Sequence, residues 1–164
     1  MLLSAQSTAP PAAAALKDPA GQSVRFRLQT LGPSYQIYTC KAANGGFAWT
    51  GPDPDAVLAT EDRSLIVHHY KGPAWEAQDG SVVRSEGKLA KHFLAPRADA
   101  IHWLELPAEH GRGQFADLTF IHRIDTSGGV PPSGKPCDAS NAGAEERVRY
   151  SATYLFYAPS QTAH

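Results

Sequence analysis

Turn-forming residues arrive so often in this chain that no long regular element has room to grow. Of its 164 residues, 14 are Gly and 13 are Pro, and they fall between short runs of alternating apolar and polar side chains. Val24, Phe26 and Leu28 alternate with Ser23, Arg25, Arg27 and Gln29, the period of a strand with one covered face. Gly32–Pro33 ends that run, and Tyr35–Cys40 follows. Asn44–Gly45–Gly46 predicts a hairpin into Phe47–Thr50, because a two-residue hairpin turn needs residues that tolerate positive φ. Leu65–Tyr70 and Ser81–Arg84 read as strands parted by Gly72–Pro73. Ala100–Leu106 and Phe115–Asp125 are bracketed by Pro107 and Gly111–Gly113. Tyr150–Tyr157 closes the pattern, with Tyr150, Ala152, Tyr154 and Phe156 on one face. The one helical start is Asp53–Pro54–Asp55, which predicts a short helix through Ala59.

This pattern predicts an all-β fold: a single antiparallel β-sandwich or β-barrel with long Gly/Pro-rich loops and at most one or two short helices. The β domain is expected over residues 21–158. An Ala/Pro-rich arm precedes it (residues 1–20), and a short tail follows (159–164). The arm has no basic n-region and is broken by Pro10–Pro11, so it is a poor secretory signal as it stands. It reads as a mature N-terminus, an arm packed on the domain or on a neighbour, or a disordered tail.

Fifteen Lys+Arg against 16 Asp+Glu leave a net charge of −1. That balance argues against nucleic-acid binding by phosphate neutralisation, which needs a basic face. No run of about 20 apolar residues is present, so no transmembrane helix is expected. A chain of this length buries about two-thirds of its unfolded surface and needs no metal merely to fold.

Cys40 ends a predicted strand and Cys137 lies in the long loop Ser127–Gly143. Their separation matches no zinc-finger spacing, and neither belongs to a CxxC motif. A single Cys40–Cys137 disulfide pinning the loop to the sheet is the reading adopted, with two unpaired thiols as its alternative. A bridge would imply an oxidising compartment.

The densest polar and aromatic stretch runs from His68 to Ser81. Neighbours on a strand point to opposite faces, so His68 and His69 cannot both bind one ion from a regular strand. His69 shares a face with Leu65 and Val67, His102 with Leu104 and Leu106, and His122 with Leu118 and Phe120. His69, His102 and His122, projecting inward from different strands with Glu76 or Asp79, are thus candidate ligands for Cu or Zn. The plainer reading makes them hydrogen-bonded core residues, with no cofactor at all. Glu76 and Asp79 are candidate acid and base if their environments split their pKa values, although Asp79–Gly80 is also ordinary turn chemistry. Trp75 is either a stacking platform for a ligand or a core aromatic. Arg123 is a candidate anchor for a carboxylate ligand, or one half of an ion pair. No phosphate-binding loop and no nucleophile elbow is present.

Several segments carry a resemblance. YQIYTCKA (35–42), HHYKGPAWEAQDGSVV (68–83), FADLTFIHRIDTSGGVPP (115–132), Cys137–Asp138 and YSATYLFY (150–157) resemble the family known as "domain of unknown function 3455". Its pattern is matched by His69, Tyr70, Gly72, Pro73, Trp75 and Glu76, then by Asp79, Gly80 and Ser81. Arg123, Thr126, Gly128 and Gly129 complete the match, whereas His68 and His122 are departures from it. The resemblance implies a secreted or periplasmic single domain, and hence the disulfide. It assigns no reaction.

Three functions follow as expectations. The first is a secreted or periplasmic domain that binds a small molecule, a glycan or an envelope protein without chemistry, with His69, Trp75, Glu76, Asp79 and Arg123 as candidate binding residues. The second is a small metal-dependent enzyme around the Gly72–Pro73–Trp75 loop. The third is self-association through residues 1–20, by docking on a neighbour.

Overall fold

The computed structural model describes residue 11 and residues 15–161; most of the arm and residues 162–164 of the tail lie outside them. Eleven strands form one antiparallel sheet. They are β1 (Gln22–Thr30), β2 (Ser34–Ala43), β3 (Gly46–Ala59), β4 (Ile66–Tyr70), β5 (Ala74–Ala77) and β6 (Val82–Arg84), then β7 (Lys91–Phe93), β8 (Trp103–Pro107), β9 (Glu109–Arg112), β10 (Phe120–Gly128) and β11 (Glu145–Pro159). Single 3-10 turns at Gly87–Leu89, Gly113–Phe115 and Ala139–Asn141 punctuate them, and no α-helix occurs among residues 16–161. The all-β expectation therefore holds.

Two long strands organise the sheet. β11 pairs with β1 through Thr153–Pro159 and with β2 through Glu145–Tyr150. β3 pairs with the same two strands, with β2 through Gly46–Asp55 and with β1 at Leu58 and Ala59. β1 and β2 thus fill successive lengths of one slot between β3 and β11. The expected hairpin joins β2 to β3 through Asn44 (φ 50°) and Gly45 (φ 77°), with Ala43 opposite Gly46. Both turn residues are left-handed, as a type I′ turn requires.

The helix expected over Asp53–Ala59 does not form. Asp53, Pro54 and Asp55 pair with Ile37, Gln36 and Tyr35 of β2, and Ala56–Ala59 pair with β4. The Asp-Pro-Asp cap is outweighed because Ala56, Leu58 and Ala59 are buried, and the two neighbouring strands hold this backbone extended. Pro54 lies where β3 has a neighbour on one side only, the place a missing N–H is tolerated. Val24 is a smaller departure. A register shift between Val24 and Phe26 turns it outward, 44% exposed, while Leu28 stays buried.

The sheet is strongly curled. β4 lies three strands from β11 by either route, a span of about 14 Å in a flat sheet at the usual strand spacing. Yet the rings of His69 (β4) and Tyr154 (β11) have centroids 5.2 Å apart, and those of Trp75 (β5) and Phe156 (β11) 6.2 Å apart. At one end of the enclosed space Phe26, Phe115 and Phe156 meet edge-on at 5.3–6.5 Å around Leu28, Leu58 and Ile121. At the other end the interior is not filled.

Cys40 and Cys137 are joined in a disulfide across a separation of 97 residues, with Cα atoms 5.5 Å apart, and the loop containing Cys137 is tied to β2. What is described of the arm lies against the domain: Pro11 bridges Leu94, and the Tyr157 hydroxyl donates to Asp18 Oδ1 at 2.6 Å.

Candidate functional site

Opposite the phenylalanine cluster is a cavity of about 910 Å³, within the roughly 300–1,000 Å³ typical of small-molecule sites. Its apolar walls are Trp75, Ile101, Leu104 and Leu106, continued outward by Leu94, Val130 and the prolines Pro73 and Pro131. Exposed Lys71, Gly87 and Arg97 stand at the mouth.

Local backbone features make this wall. Asp125, in the left-handed region (φ 49°), sits in the register shift between Ile124 and Ser127 of β10. Beyond it Thr126 Oγ1 donates to the Ile101 carbonyl at 2.6 Å, and Ile101 N–H donates to Gly128 at 3.0 Å. Gly128 and Gly129 pass so close to β11 that side chains cannot fit. A Cβ on Gly128 would lie 2.6 Å from the Arg149 carbonyl oxygen, and one on Gly129 2.9 Å from Tyr150 Cβ, both at positive φ. Tyr38 ties down the same segment by donating its hydroxyl to the Gly129 carbonyl.

The polar groups on the lining are mostly donors. Arg123, half-buried on β10, donates through Nε and Nη2 to the His102 carbonyl at 3.1 and 2.7 Å. Among the described residues no carboxylate lies within ion-pair distance of it, whereas Lys71 and Arg97 meet Asp53 and Asp99. Among the described residues the only carboxylate on the lining is Asp53. Gln36 Nε2 and Trp75 Nε1 are fully buried and have no hydrogen-bond partner, a costly arrangement unless something else supplies an acceptor.

His69 is buried on β4, with Nδ1–H donating to the Ala74 carbonyl at 2.9 Å and its ring stacked on Trp75 at 4.4 Å and 9°. Burial pushes its pKa down to about 3, and the charge of Arg123 acts in the same direction against the Ala74 bond. The ring is therefore neutral, with Nε2 an acceptor. Burial likewise lifts the Tyr38 hydroxyl to about 12 against the pull of Arg123. At the rim His92 and His102 face each other, Nδ1 to Nδ1 at 3.2 Å; burial holds both below the usual histidine value.

The structure thus divides the residues singled out in the sequence. His69, Trp75, His102 and Arg123 line one cavity. Glu76 and Asp79 do not. Glu76 is exposed on the far face of β5 and accepts from the Tyr70 hydroxyl at 3.1 Å. Asp79 accepts from Ser81 N–H at 2.9 Å and Gln114 Nε2 at 2.6 Å. Ser81 Oγ in turn accepts from Gln114 N–H, so Asp79–Gly80–Ser81 latches one turn to the next.

His122 is also placed apart. It points to the face of β10 opposite Ile121, donating from Nε2 to Glu105 at 2.8 Å beside Tyr157. The inward projection expected from its alternation with Leu118 and Phe120 fails because both faces of β10 are covered, so burial does not mark the inner side. His69, His102 and His122 do not share a site. Among the described residues no group of three or more His, Cys, Asp or Glu side chains is placed to hold a metal ion.

Gln36, Tyr38, His92 and Tyr154 escaped the sequence reading. Gln36 and Tyr38 alternate inward on β2, a signal present in Tyr35–Cys40, and Tyr154 sits among apolar neighbours on β11. His92 lies on a three-residue edge strand too short to leave a period.

A family model described as "Protein of unknown function (DUF3455)" matches residues 19–158. The chain belongs to this family. No curated protein and no solved structure matches it. In this chain the family motif divides as the site does: His69, Trp75 and Arg123 face the cavity, Gly128 and Gly129 shape its wall, and Asp79–Gly80–Ser81 is a structural latch. No helix of the described residues is long and apolar enough to cross a membrane.

Proposed function

We propose that this domain binds a small, largely apolar molecule inside the curled sheet, without chemical conversion. The observation that carries the reading is the cavity itself: about 910 Å³, walled by Trp75, Ile101, Leu104 and Leu106, with two buried donors, Gln36 Nε2 and Trp75 Nε1, left unpaired. An apolar enclosure with a few fixed polar groups is the usual form of a small-molecule site. The separation of Glu76 and Asp79 from His69 leaves the lining without an acid–base carboxylate pair, which favours binding over the metal-enzyme reading. We place the domain in a secreted or periplasmic compartment, supported by the Cys40–Cys137 disulfide.

Titration with a neutral, environment-sensitive apolar dye tests this. Saturable one-to-one binding is expected for the native chain, and Ala90→Trp, which puts an indole on the cavity lining, is expected to weaken it on the order of tenfold. Absence of saturable binding by the folded protein overturns the proposal.

A further inference from the structure

The lining is strongly asymmetric in charge and in hydrogen-bonding sense. It holds three cationic side chains and one carboxylate, and that carboxylate, Asp53, lies 3.9 Å from the exposed Lys71 at the mouth. Arg123 has no such partner. A guanidinium carries five N–H donors in a fixed fork, and here the His102 carbonyl engages only the Nε and Nη2 side of it. It lines the cavity together with Tyr38, His69, His92, His102 and Tyr154, and its charge pulls the pKa values of these groups down. A half-buried cation without a counter-charge is costly, and an anionic ligand group would relieve that cost. Gln36 and Trp75, both on the lining, carry two further donors, Nε2 and Nε1, that are buried without a partner. Inward from the mouth, where Lys71 and Arg97 stand beside Asp53 and Asp99, the walls around Ile101, Leu104 and Leu106 are hydrocarbon.

Resting on the binding reading above, we propose that the ligand is a monocarboxylic acid with an apolar tail, its carboxylate held by Arg123 with Gln36 and Trp75 as further donors, and its tail against Ile101, Leu104 and Leu106. Arg123 recognises the head because a carboxylate matches its fork with two parallel hydrogen bonds. A tail alone would bind in the same walls but would leave Arg123 without a counter-charge and the Gln36 and Trp75 donors unpaired. A second carboxylate held among Ile101, Leu104 and Leu106 would be buried without a partner.

Calorimetric titration of the full chain with decanoate and with decan-1-ol separates head from tail. Decanoate is expected to bind at least about tenfold more tightly than the alcohol. Arg123→Met is expected to remove that preference while changing alcohol affinity by less than about threefold, and Arg123→Lys to restore part of it. Gln36→Leu gives a second variant whose folding does not depend on the His102 contact, and it is expected to weaken decanoate selectively. Equal affinity of native protein for acid and alcohol overturns the carboxylate assignment and leaves the cavity reading standing. Failure of acid and alcohol, with the neutral dye still binding, also overturns it. Failure of all three strikes the cavity reading itself.

Discussion

The two ends of the curled sheet are built from the same strands by opposite rules. At one end Phe115 and Phe156 are completely buried and, with the partly buried Phe26, fill the interior edge to face. At the other end β2, β4, β5, β10 and β11 deliver Gln36, His69, Trp75, Arg123 and Tyr154 around empty space. Close packing is what stabilises a core, so a volume of about 910 Å³ with unpaired donors costs stability. The packed end and the disulfide carry the fold, which frees the open end to keep groups a well-packed core would exclude.

The comparison breaks first at its packed end. Phe156→Ala is expected to cost about 3–5 kcal/mol in a denaturant titration, the usual penalty for emptying a buried aromatic site. A loss below about 1 kcal/mol would show that this end does not carry the fold. Cys40→Ser with Cys137→Ser releases a loop of 97 residues and is expected to cost about 4.7 kcal/mol on the chain-entropy model, read from the same titration.

Acid should act through the open end. The His69 pKa is lowered to about 3 by burial, so between the unfolded value of 6.5 and about 3 the unfolded chain holds a proton that the folded chain refuses. Stability therefore falls as pH drops through that window, with a limiting slope of about 1.4 kcal/mol per pH unit from this residue. Burial likewise depresses His92, His102 and His122, which act in the same direction. His69→Gln should flatten the profile; an unchanged slope would mean that the ring is not held neutral by burial.

Gly129→Ala joins the two ends, because it forces a Cβ against Tyr150 and Ile101 at positive φ. A loss of roughly 1–3 kcal/mol is expected, together with weaker ligand binding. The smallest effect is assigned to Glu76→Gln, within about 0.5 kcal/mol and without effect on dye affinity, since Glu76 faces away from the cavity. A change in affinity there would show that the site extends beyond the walls described.

Much of this was legible in the chain. Alternation placed His69 on one side with Leu65 and Val67, and all three are buried. Asn44–Gly45 marked the β2–β3 turn, and of the two readings kept for Cys40 and Cys137 the disulfide is the one formed. Other features were not readable because they depend on neighbours. Asp53–Pro54–Asp55 carries a helix-cap signature that strand pairing overrides. His122 and Ile121 are adjacent and both buried, so periodicity could not tell the inner face of β10 from the outer. Glu76 and Asp79 are close to Trp75 in sequence, but the pleat and the turn direct them away from it.

By itself, the sequence determined an all-β chain with strands of short period and a family pattern centred on His69, Trp75 and Arg123. Those properties are local: they follow from turn chemistry, alternation and residue type. Tertiary structure alone decided which of those side chains share a space. β4 and β11 are three strands apart, and only the curl of the sheet brings His69 to 5.2 Å from Tyr154. Only that curl gathers Arg123, Gln36 and Trp75 from β10, β2 and β5 around one cavity.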